Sequence, residues 1–415
     1  MVLSVDALHP SFYRHPSESG PKIPNILELA QCGASADAVE SVFPTTTYPA
    51  HATIVTGVLP RVHGIYSHLA SLDPTEKARP WHWFAAAIRV STLWSLARAH
   101  GLKTAAISWP VSAGAPIDYN LPEIWDPAAP DPFQDLQTVA RHATSRLFDE
   151  LTRAVKPTAH AGPDYLRGEA ALYIWKKYRP DLMLVHFVGY DQQAHLHGPR
   201  SRQALAALEK ADHEIGRLRE AAKEERVAIV VLSDHGFMPV EKDAAPLVIL
   251  AEEGLFDTKR KKHPELMRLG AVHGGGSFAV FWLEEPSTAE QHALDRALKR
   301  IKETGAVAEV VGRDQLEALG SDPDAEWILD AAPGYCFTDR FSGPVIRKTE
   351  ADHGTHGHLP THAEMEASFI ASGPGITPGK NLGRIKLTDM APTLAHILGV
   401  ATDELATDEE PLKLA

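Results

Sequence analysis

The sequence has little cysteine, no long apolar run and no excess of basic residues. Only Cys32 and Cys336 occur among 415 residues, which argues against a disulfide framework or a cysteine-based zinc site. No stretch of about 18 uninterrupted apolar residues is present, so no membrane span is expected. The formal net charge of -13 and the lack of a long basic run argue against binding of nucleic acid or of an anionic membrane. A compact phosphate site remains compatible with this charge, because bound metal ions are not counted in it.

The first residues, MVLSVDAL, lack the charged and apolar regions of a secretory leader. Together with the scarcity of cysteine, this favours a reducing compartment such as the cytoplasm. A leader cleaved upstream would leave the same sequence, so a periplasmic or secreted location stays open. The sequence does not indicate an oligomeric state.

What the sequence does contain is an alternation of apolar runs with helix-period segments. Strands are predicted at VLSV, TAAIS, LMLVHFV, VAIVVLS and SFIAS, and helices over Leu93–His100, Phe133–Ala154, Tyr165–Lys177 and Arg202–Ala222. This order predicts an α/β fold with a mainly parallel sheet flanked by helices. Between residues 241 and 350 the pattern changes. A single strand–helix–strand unit is predicted there, with its strands at SFAVFWL and VAEVVG and its helix at TAEQHALDRALKRIKETG. We therefore predict a catalytic core from residues 1–240 and 351–415, and an inserted segment, 241–350, that contains a small α/β cap.

Three predicted strands are each followed by an aspartate: Asp6, Asp191 and Asp234. Ligands of open parallel sheets bind beyond the carboxyl ends of the strands, so these carboxylates are expected to converge on one rim. His195 lies four residues after Asp191, which places both side chains on one face of a helical turn. His235 directly follows Asp234.

Each of these features alone has an ordinary explanation, because an aspartate after a strand is more often a turn or helix-cap residue than a metal ligand. Taken together, and with the histidine-rich stretch DHGTHGH at 352–358, they indicate a metal site. Mixed carboxylate and imidazole ligands favour zinc, or a neighbouring transition metal, over calcium or magnesium.

The stretch SVFPTTTYPAHATIVTG, residues 41–57, places Thr47 at a predicted helix start. Pro49 suits the first turn of a helix and Gly57 suits its end. Exposed N–H groups and the positive end of the helix dipole would hold a phosphoryl oxygen there. Thr47 is either a simple helix cap or, beside a divalent ion, a nucleophile that attacks phosphorus.

These residues resemble the nucleotide pyrophosphatase/phosphodiesterase family of the alkaline phosphatase superfamily. FPTTTYPAHATIVTGVLPRVHGI is similar to the family's nucleophile segment, and YDQQAHLHGP, SDHGF, GTHG, SFIASGPGI and LTDMAPTLAHILG follow in the family's order. The resemblance implies an alkaline-phosphatase-like fold, two zinc ions, a phosphothreonine intermediate on Thr47 and hydrolysis of phosphodiester or pyrophosphate bonds. It implies one ion held by Asp191, His195 and His356, and a second held by Asp6, Asp234, His235 and the Thr47 oxygen.

Two departures from the family pattern leave the substrate open. The family usually has Asn three positions after the nucleophile, whereas this chain has Ala50, and losing one such donor costs on the order of 10²- to 10³-fold in rate in other systems. The family's HGYD is HGHL here, at His356 to Leu359. A phosphomonoesterase or phosphonate hydrolase on the same scaffold is therefore an alternative, as is a non-catalytic member that binds a phosphate ligand. A sulfatase is disfavoured, because the C/S-x-P-x-R motif is missing.

A group of aromatic residues is the last candidate feature. Tyr48 follows Thr47 where the family places an aromatic near the substrate, and Trp81 and Trp83 lie in the segment RPWHWF. These rings either contribute to a substrate site or pack in the core. In the first case they, and the position of Ala50, would bind a small-molecule phosphate ester or a nucleotide-like substrate.

Overall fold

The computed structural model describes residues 1–17, 20–74, 76, 78–129, 136–156, 162–256, 269–350 and 352–415. Its strands are β1 (Val2–Val5), β2 (Ala34–Ser35), β3 (Ala38–Glu40), β4 (Thr104–Ile107), β5 (Tyr119–Leu121), β6 (Leu182–Phe187), β7 (Ile229–Leu232), β8 (Met238–Ala244), β9 (Leu269–His273), β10 (Ser277–Trp282), β11 (Val307–Gly312), β12 (Trp327–Ala331), β13 (Gly334–Phe337), β14 (Ile346–Lys348), β15 (Gly354–Thr355), β16 (Phe369–Ser372), β17 (Lys380–Asn381) and β18 (Arg384–Lys386). The α-helices are α1 (Ser11–Arg14), α2 (Pro24–Cys32), α3 (Thr47–Thr56), α4 (Pro60–His63), α5 (Leu93–Ala99), α6 (Leu136–His142), α7 (Leu147–Ala154), α8 (Pro163–Tyr178), α9 (Gly189–His197), α10 (Arg202–Ala222), α11 (Pro246–Glu252), α12 (Thr288–Glu303), α13 (Arg313–Ala318) and α14 (Met390–Leu398).

The main sheet has eight strands in the order β17-β2-β16-β7-β1-β6-β4-β5. Strands β7, β1 and β6 are adjacent and parallel, and β4 and β5 continue the parallel pairing on one side. Strand β16 is antiparallel to both of its neighbours. The prediction of an α/β fold with a mainly parallel sheet is therefore confirmed.

Helices cover both faces of this sheet, because its central strands bury side chains on both sides. Leu3 of β1 and Val185 of β6 pack in one core cluster with α8 and α10. Val2 and Leu184, the preceding residues, pack in a second cluster with α3, α5 and α14. This two-sided burial explains the unbroken apolar runs in the sequence of these strands.

A second sheet, with the order β11-β12-β10-β9, is antiparallel and lies within the predicted inserted segment. Helix α12 packs on it in a third core cluster, around Phe278, Leu294 and Leu329. The Gly276 N–H, just before β10, donates to the His356 carbonyl at 2.7 Å, so this segment contacts the loop that carries His356. The division into a core and an inserted segment at 241–350 stays a prediction.

The predicted helix over Phe133–Ala154 is wrong in extent. The structure has two helices there, α6 and α7, while residues 133–135 lie outside the described part of the chain. The break arises because Thr144 bonds to the neighbouring strand: its N–H donates to the Asn120 carbonyl at 2.9 Å, and its hydroxyl accepts from the Asn120 N–H at 2.8 Å. Arg146 then takes a left-handed conformation, with φ of 66°, before α7 begins.

Within the described residues, no helix is both long and apolar enough to cross a membrane.

Candidate active site

Three carboxylates meet beyond the ends of the three central strands. Asp6 directly follows β1, Asp191 lies in the first turn of α9 after β6, and Asp234 lies two residues after β7. Because β7, β1 and β6 are neighbours and parallel, their carboxyl ends share one rim of the sheet. The proximity of these groups changes their acidity: burial, together with the charges of Asp191 and Asp234, raises the pKa of Asp6 well above its usual value.

Each carboxylate has one buried oxygen without a hydrogen-bond partner. These atoms are Oδ1 of Asp6, Oδ1 of Asp191 and Oδ2 of Asp234. Buried polar atoms are normally paired, and an unpaired carboxylate oxygen is costly. Unpaired carboxylate oxygens at one rim of the sheet are the donor atoms that bound cations require, so the residues present fit a metal centre.

Three histidines beside these carboxylates are each held by a hydrogen bond between Nδ1 and a backbone carbonyl. His195 Nδ1 lies 3.1 Å from the Gly354 carbonyl, His235 Nδ1 lies 3.0 Å from the Gly236 carbonyl, and His356 Nδ1 lies 3.1 Å from the Thr45 carbonyl. A carbonyl oxygen only accepts, so Nδ1 carries the proton and each Nε2 is left with a free lone pair. Metal-binding histidines commonly show this arrangement. Burial lowers the pKa of His356 well below its usual value, and His235 and His195 add to the effect, which keeps this ring neutral.

The ligand atoms form two sets that share His235. The first set is Asp6, Asp234 and His235, and the second is Asp191, His235 and His356; within each set all ligand atoms lie within 4.8 Å of one another. His195, which the family resemblance assigns to the ion of Asp191 and His356, is not in that set, although its Nε2 lies 3.6 Å from Oδ1 of Asp191. The assignment of each residue to one particular ion stays a prediction.

Thr47 is the first residue of α3, two positions before the helix start expected from Pro49. Its Oγ1 lies 3.3 Å from Nε2 of His235. The preceding Thr46 is extended and makes no side-chain cap bond, so its hydroxyl does not occupy the N–H groups at the helix start. The Thr47 hydroxyl at the start of α3 therefore contacts His235, which belongs to both sets of candidate ligands.

His51 fixes the first turn of α3 against the sheet. Its Nδ1 lies 2.9 Å from the Thr47 carbonyl, and its Nε2 lies 2.9 Å from the hydroxyl of Ser4 in β1. His51 is fully buried, and burial, with a smaller contribution from His186, lowers its pKa to about 3. The neutral His51 side chain therefore links the backbone of Thr47 to β1 through these two hydrogen bonds.

Two functional candidates were not identified from the sequence: His186 and Glu123. His186 lies within β6, and its Nε2 is 3.1 Å from Oδ2 of Asp6 while its Nδ1 is 3.2 Å from Oε2 of Glu123. Burial opposes a charge on this ring, but the hydrogen bonds to Asp6 and Glu123 raise the pKa of His186 to about 10. The available signal was one histidine in the otherwise apolar run LMLVHFV.

The aromatic candidates form a packed group rather than an open surface. Tyr48 is fully buried, its ring packs edge-on against Trp81 at 5.2 Å, and its hydroxyl donates to Glu123. Trp83 is buried and Trp81 is partly exposed. Ala50 is fully buried in the core cluster under α3. Binding of substrate by these four positions stays a prediction.

Comparison with known protein families gives one match across most of the chain. Residues 1–359 match the model of the family described as type I phosphodiesterase/nucleotide pyrophosphatase. This match confirms the resemblance predicted from the motifs.

Three curated relatives illustrate the match. The human ectonucleotide pyrophosphatase/phosphodiesterase family member 1 is 25% identical over 390 residues, which cover 87% of this chain and 36% of the human protein. A pyrophosphatase/phosphodiesterase of Schizosaccharomyces pombe is 24% identical over 406 residues, or 90% of this chain and 72% of the yeast protein. The mouse family member 3 is 30% identical over 231 residues, or 52% of this chain and 22% of the mouse protein. The chain thus spans about a third or less of the length of the mammalian relatives.

Solved structures show the same fold. Murine ectonucleotide pyrophosphatase/phosphodiesterase 5, as an inactive threonine-to-alanine variant in complex with AMP, aligns with a TM-score of 0.69 at 18% identity, covering 100% of this chain and 97% of that chain. The human counterpart aligns with a TM-score of 0.68 at 18% identity, covering 96% of this chain and 94% of that one.

Proposed function

Since the chain belongs to the type I phosphodiesterase/nucleotide pyrophosphatase family, we propose that it is a metal-dependent hydrolase of phosphodiester or pyrophosphate bonds. The relatives named above are pyrophosphatases and phosphodiesterases, and the mouse structural neighbour holds AMP. The substrate is accordingly a small-molecule phosphate ester or a nucleotide-like compound.

The observation that carries the proposal is the position of the Thr47 hydroxyl 3.3 Å from Nε2 of His235, the residue shared by the two sets of candidate ligands. Asp6, Asp234 and His235 would hold one ion next to Thr47. Asp191, His195 and His356 would hold the other. Carboxylate and imidazole donors fit zinc, which when bound would supply positive charge that acidifies a hydroxyl and neutralises phosphate oxygens.

Thr47 is the proposed nucleophile. Its hydroxyl gives up its proton to solvent, and Oγ1 attacks phosphorus in line with the leaving group. The new Oγ1–P bond forms as the P–O bond to the leaving group breaks, and the leaving oxygen departs with the bonding electrons and takes up a proton from solvent. The N–H groups at the start of α3 would bind a phosphoryl oxygen and favour the added negative charge. Water then attacks the phosphothreonine: its oxygen bonds to phosphorus as the Oγ1–P bond breaks, a proton of the water restores the Thr47 hydroxyl, and a diester substrate leaves as a phosphomonoester.

One preparation of the zinc-loaded protein tests this reaction class. Rates would be compared for bis-p-nitrophenyl phosphate, p-nitrophenyl phosphate and the p-nitrophenyl ester of a nucleotide. We expect the two diesters to be the better substrates, with activity lost on chelation and restored by zinc. A preference for the monoester by several orders of magnitude would reject the diesterase assignment.

Ala50 supports a second candidate, a phosphomonoesterase or phosphonate hydrolase on the same scaffold. The family's asparagine donor is missing here, and the buried methyl group cannot donate to a phosphate oxygen. The same substrate comparison separates the two activities. A non-catalytic phosphate-binding protein is a further alternative, and fewer than one zinc ion per chain in protein prepared without chelator would favour it.

A further inference from the structure

A buried chain of hydrogen bonds leads from Tyr48 to Asp6. The Tyr48 hydroxyl donates to Oε1 of Glu123 at 2.9 Å. The other oxygen of Glu123, Oε2, lies 3.2 Å from Nδ1 of His186, and Nε2 of His186 lies 3.1 Å from Oδ2 of Asp6. His186 thus has a carboxylate at each ring nitrogen, which fixes its position and its ring plane from both ends.

The two oxygens of Asp6 are therefore not equivalent. Oδ2 is taken by His186, whereas Oδ1 is buried without a hydrogen-bond partner and lies 3.5 Å from Nε2 of His235. Without His186, the carboxylate could turn about its Cβ–Cγ bond and present either oxygen. The contact with His186 selects the oxygen that faces the candidate metal centre.

We propose that His186 and Glu123 are positioning residues of the metal centre: His186 holds one oxygen of Asp6 so that the other binds the cation, and Glu123 holds His186. This inference rests on the proposed function, because it assumes that Asp6 is a metal ligand. Hydrogen-bond partners of a metal ligand restrict its orientation and so strengthen metal binding.

The chain also connects elements that are far apart in sequence. Asp6 follows β1, His186 lies in β6, Glu123 follows β5, and Tyr48 is the second residue of α3. Tyr48 directly follows Thr47, the proposed nucleophile, and Asp6 is a proposed ligand of the cation. The hydrogen bonds of Glu123 and His186 link these two residues. The arrangement keeps the start of α3 and the end of β1 at a fixed separation, which in-line attack on phosphorus requires.

A pair of substitutions at His186 separates positioning from simple packing. Asn places its amide nitrogen near the position of Nδ1, so His186→Asn loses the contact with Asp6. Gln reaches the position of Nε2, so His186→Gln keeps that contact while also removing the imidazole. We expect His186→Asn to weaken zinc binding on the order of 10- to 100-fold, and His186→Gln to stay closer to the wild type.

The measurements are zinc dissociation constants from competition with a chromophoric chelator and visible spectra of the cobalt-substituted protein. His63→Asn is the matched control, because His63 is also fully buried but its side chain bonds to Thr53, the Ile65 N–H and the Pro49 backbone, none of which is a candidate metal ligand. Denaturant unfolding of each variant measures stability. We expect His63→Asn to lose stability with an unchanged zinc affinity and cobalt spectrum.

Several results would overturn the inference. These are unchanged zinc affinity in His186→Asn, equal losses in His186→Asn and His186→Gln, or an equal loss in the His63→Asn control. If wild-type protein in the same experiment binds two zinc ions and hydrolyses diesters, the proposed function survives that failure. If the wild type binds less than one ion, both proposals fail.

Should His186→Asn not fold, a crystal structure of the zinc-loaded wild type decides the question. We expect zinc on Oδ1 of Asp6, with Oδ2 still within hydrogen-bond distance of His186. Zinc on Oδ2, with His186 turned away, would reject the positioning role.

Discussion

Nε2 of His235 lies 3.3 Å from Oγ1 of Thr47 and is the nitrogen that its ring leaves unprotonated. The same atom lies 3.1 Å from Oδ2 of Asp234. The candidate nucleophile and the candidate metal ligands are therefore in direct contact, although almost 190 residues separate them in the chain.

Thr47→Ala should abolish turnover while it preserves the fold and the zinc content. We expect a loss of at least about 10³-fold in kcat, because no other hydroxyl replaces the nucleophile. Thr46→Ala is the matched control: its hydroxyl is buried without a hydrogen-bond partner, and its removal should leave kcat within a few-fold of the wild type. Steady-state rates and metal analysis on both variants check this prediction, and full activity of Thr47→Ala would contradict it.

His195→Ala should remove one of the two proposed zinc ions. The side chain lies beside Asp191. Because its Nδ1 donates to the Gly354 carbonyl, its Nε2 is left to bind a metal ion. His197→Ala is the control, because that histidine is exposed on the same helix. Metal content after gel filtration would be measured by mass spectrometry. Two retained ions in His195→Ala would remove this residue from the ligand set.

The stability of the protein should fall as the pH drops below about 6.5, in part because of His63. Burial lowers the pKa of His63 to about 3, and its Nδ1 accepts a hydrogen bond from the Ile65 N–H, which protonation would break. Between pH 6.5 and 3 the unfolded chain therefore binds a proton that the folded chain does not, so stability is lost by about 1.4 kcal/mol per pH unit.

His63→Gln removes this contribution and should flatten the pH dependence of the unfolding free energy. Urea unfolding at several pH values between 4.5 and 8 measures the slope. At pH 8 the residue is neutral in both states, so the variant should differ there only by its lost packing and hydrogen bonds. An unchanged slope below pH 6.5 would show that His63 is protonated in the folded protein.

Asp330→Ala should weaken the loop that carries His356. Asp330 is buried in β12, and it accepts from the Leu359 N–H at 2.9 Å and from Nε2 of His362 at 2.8 Å. Loss of both acceptors leaves the buried Leu359 N–H and the half-buried His362 ring without these partners and should lower the unfolding free energy by about 1–3 kcal/mol. Zinc affinity should fall as well, because the loop orients His356.

The control for this loop is Asp314→Ala, in an exposed first turn of α13. It should change the unfolding free energy little and leave zinc binding unchanged. Equal zinc affinity in Asp330→Ala and Asp314→Ala would show that the second sheet does not support His356.

Local sequence patterns predicted those helices and strands that depend on residues close together in the chain. The buried strands around Leu184 and Val231 were visible as apolar runs, and α10 was predicted at its observed bounds, Arg202–Ala222. The long helix before residue 154 was predicted wrongly, because the hydrogen bonds of Thr144 to Asn120 come from another element. Periodicity contains no information about such a partner.

The sequence by itself determined the class of the fold, and through its strand ends and its family resemblance it supplied the candidate ligands and nucleophile: Asp6, Asp191 and Asp234 each follow an apolar strand and Thr47 lies at a helix start. Only the tertiary structure decided that β7, β1 and β6 are neighbours, which brings those carboxylates together. It also decided that His186 and Glu123 join this site. Strand order and buried hydrogen bonds depend on contacts between residues far apart in the chain, and these contacts leave no periodic trace in the sequence.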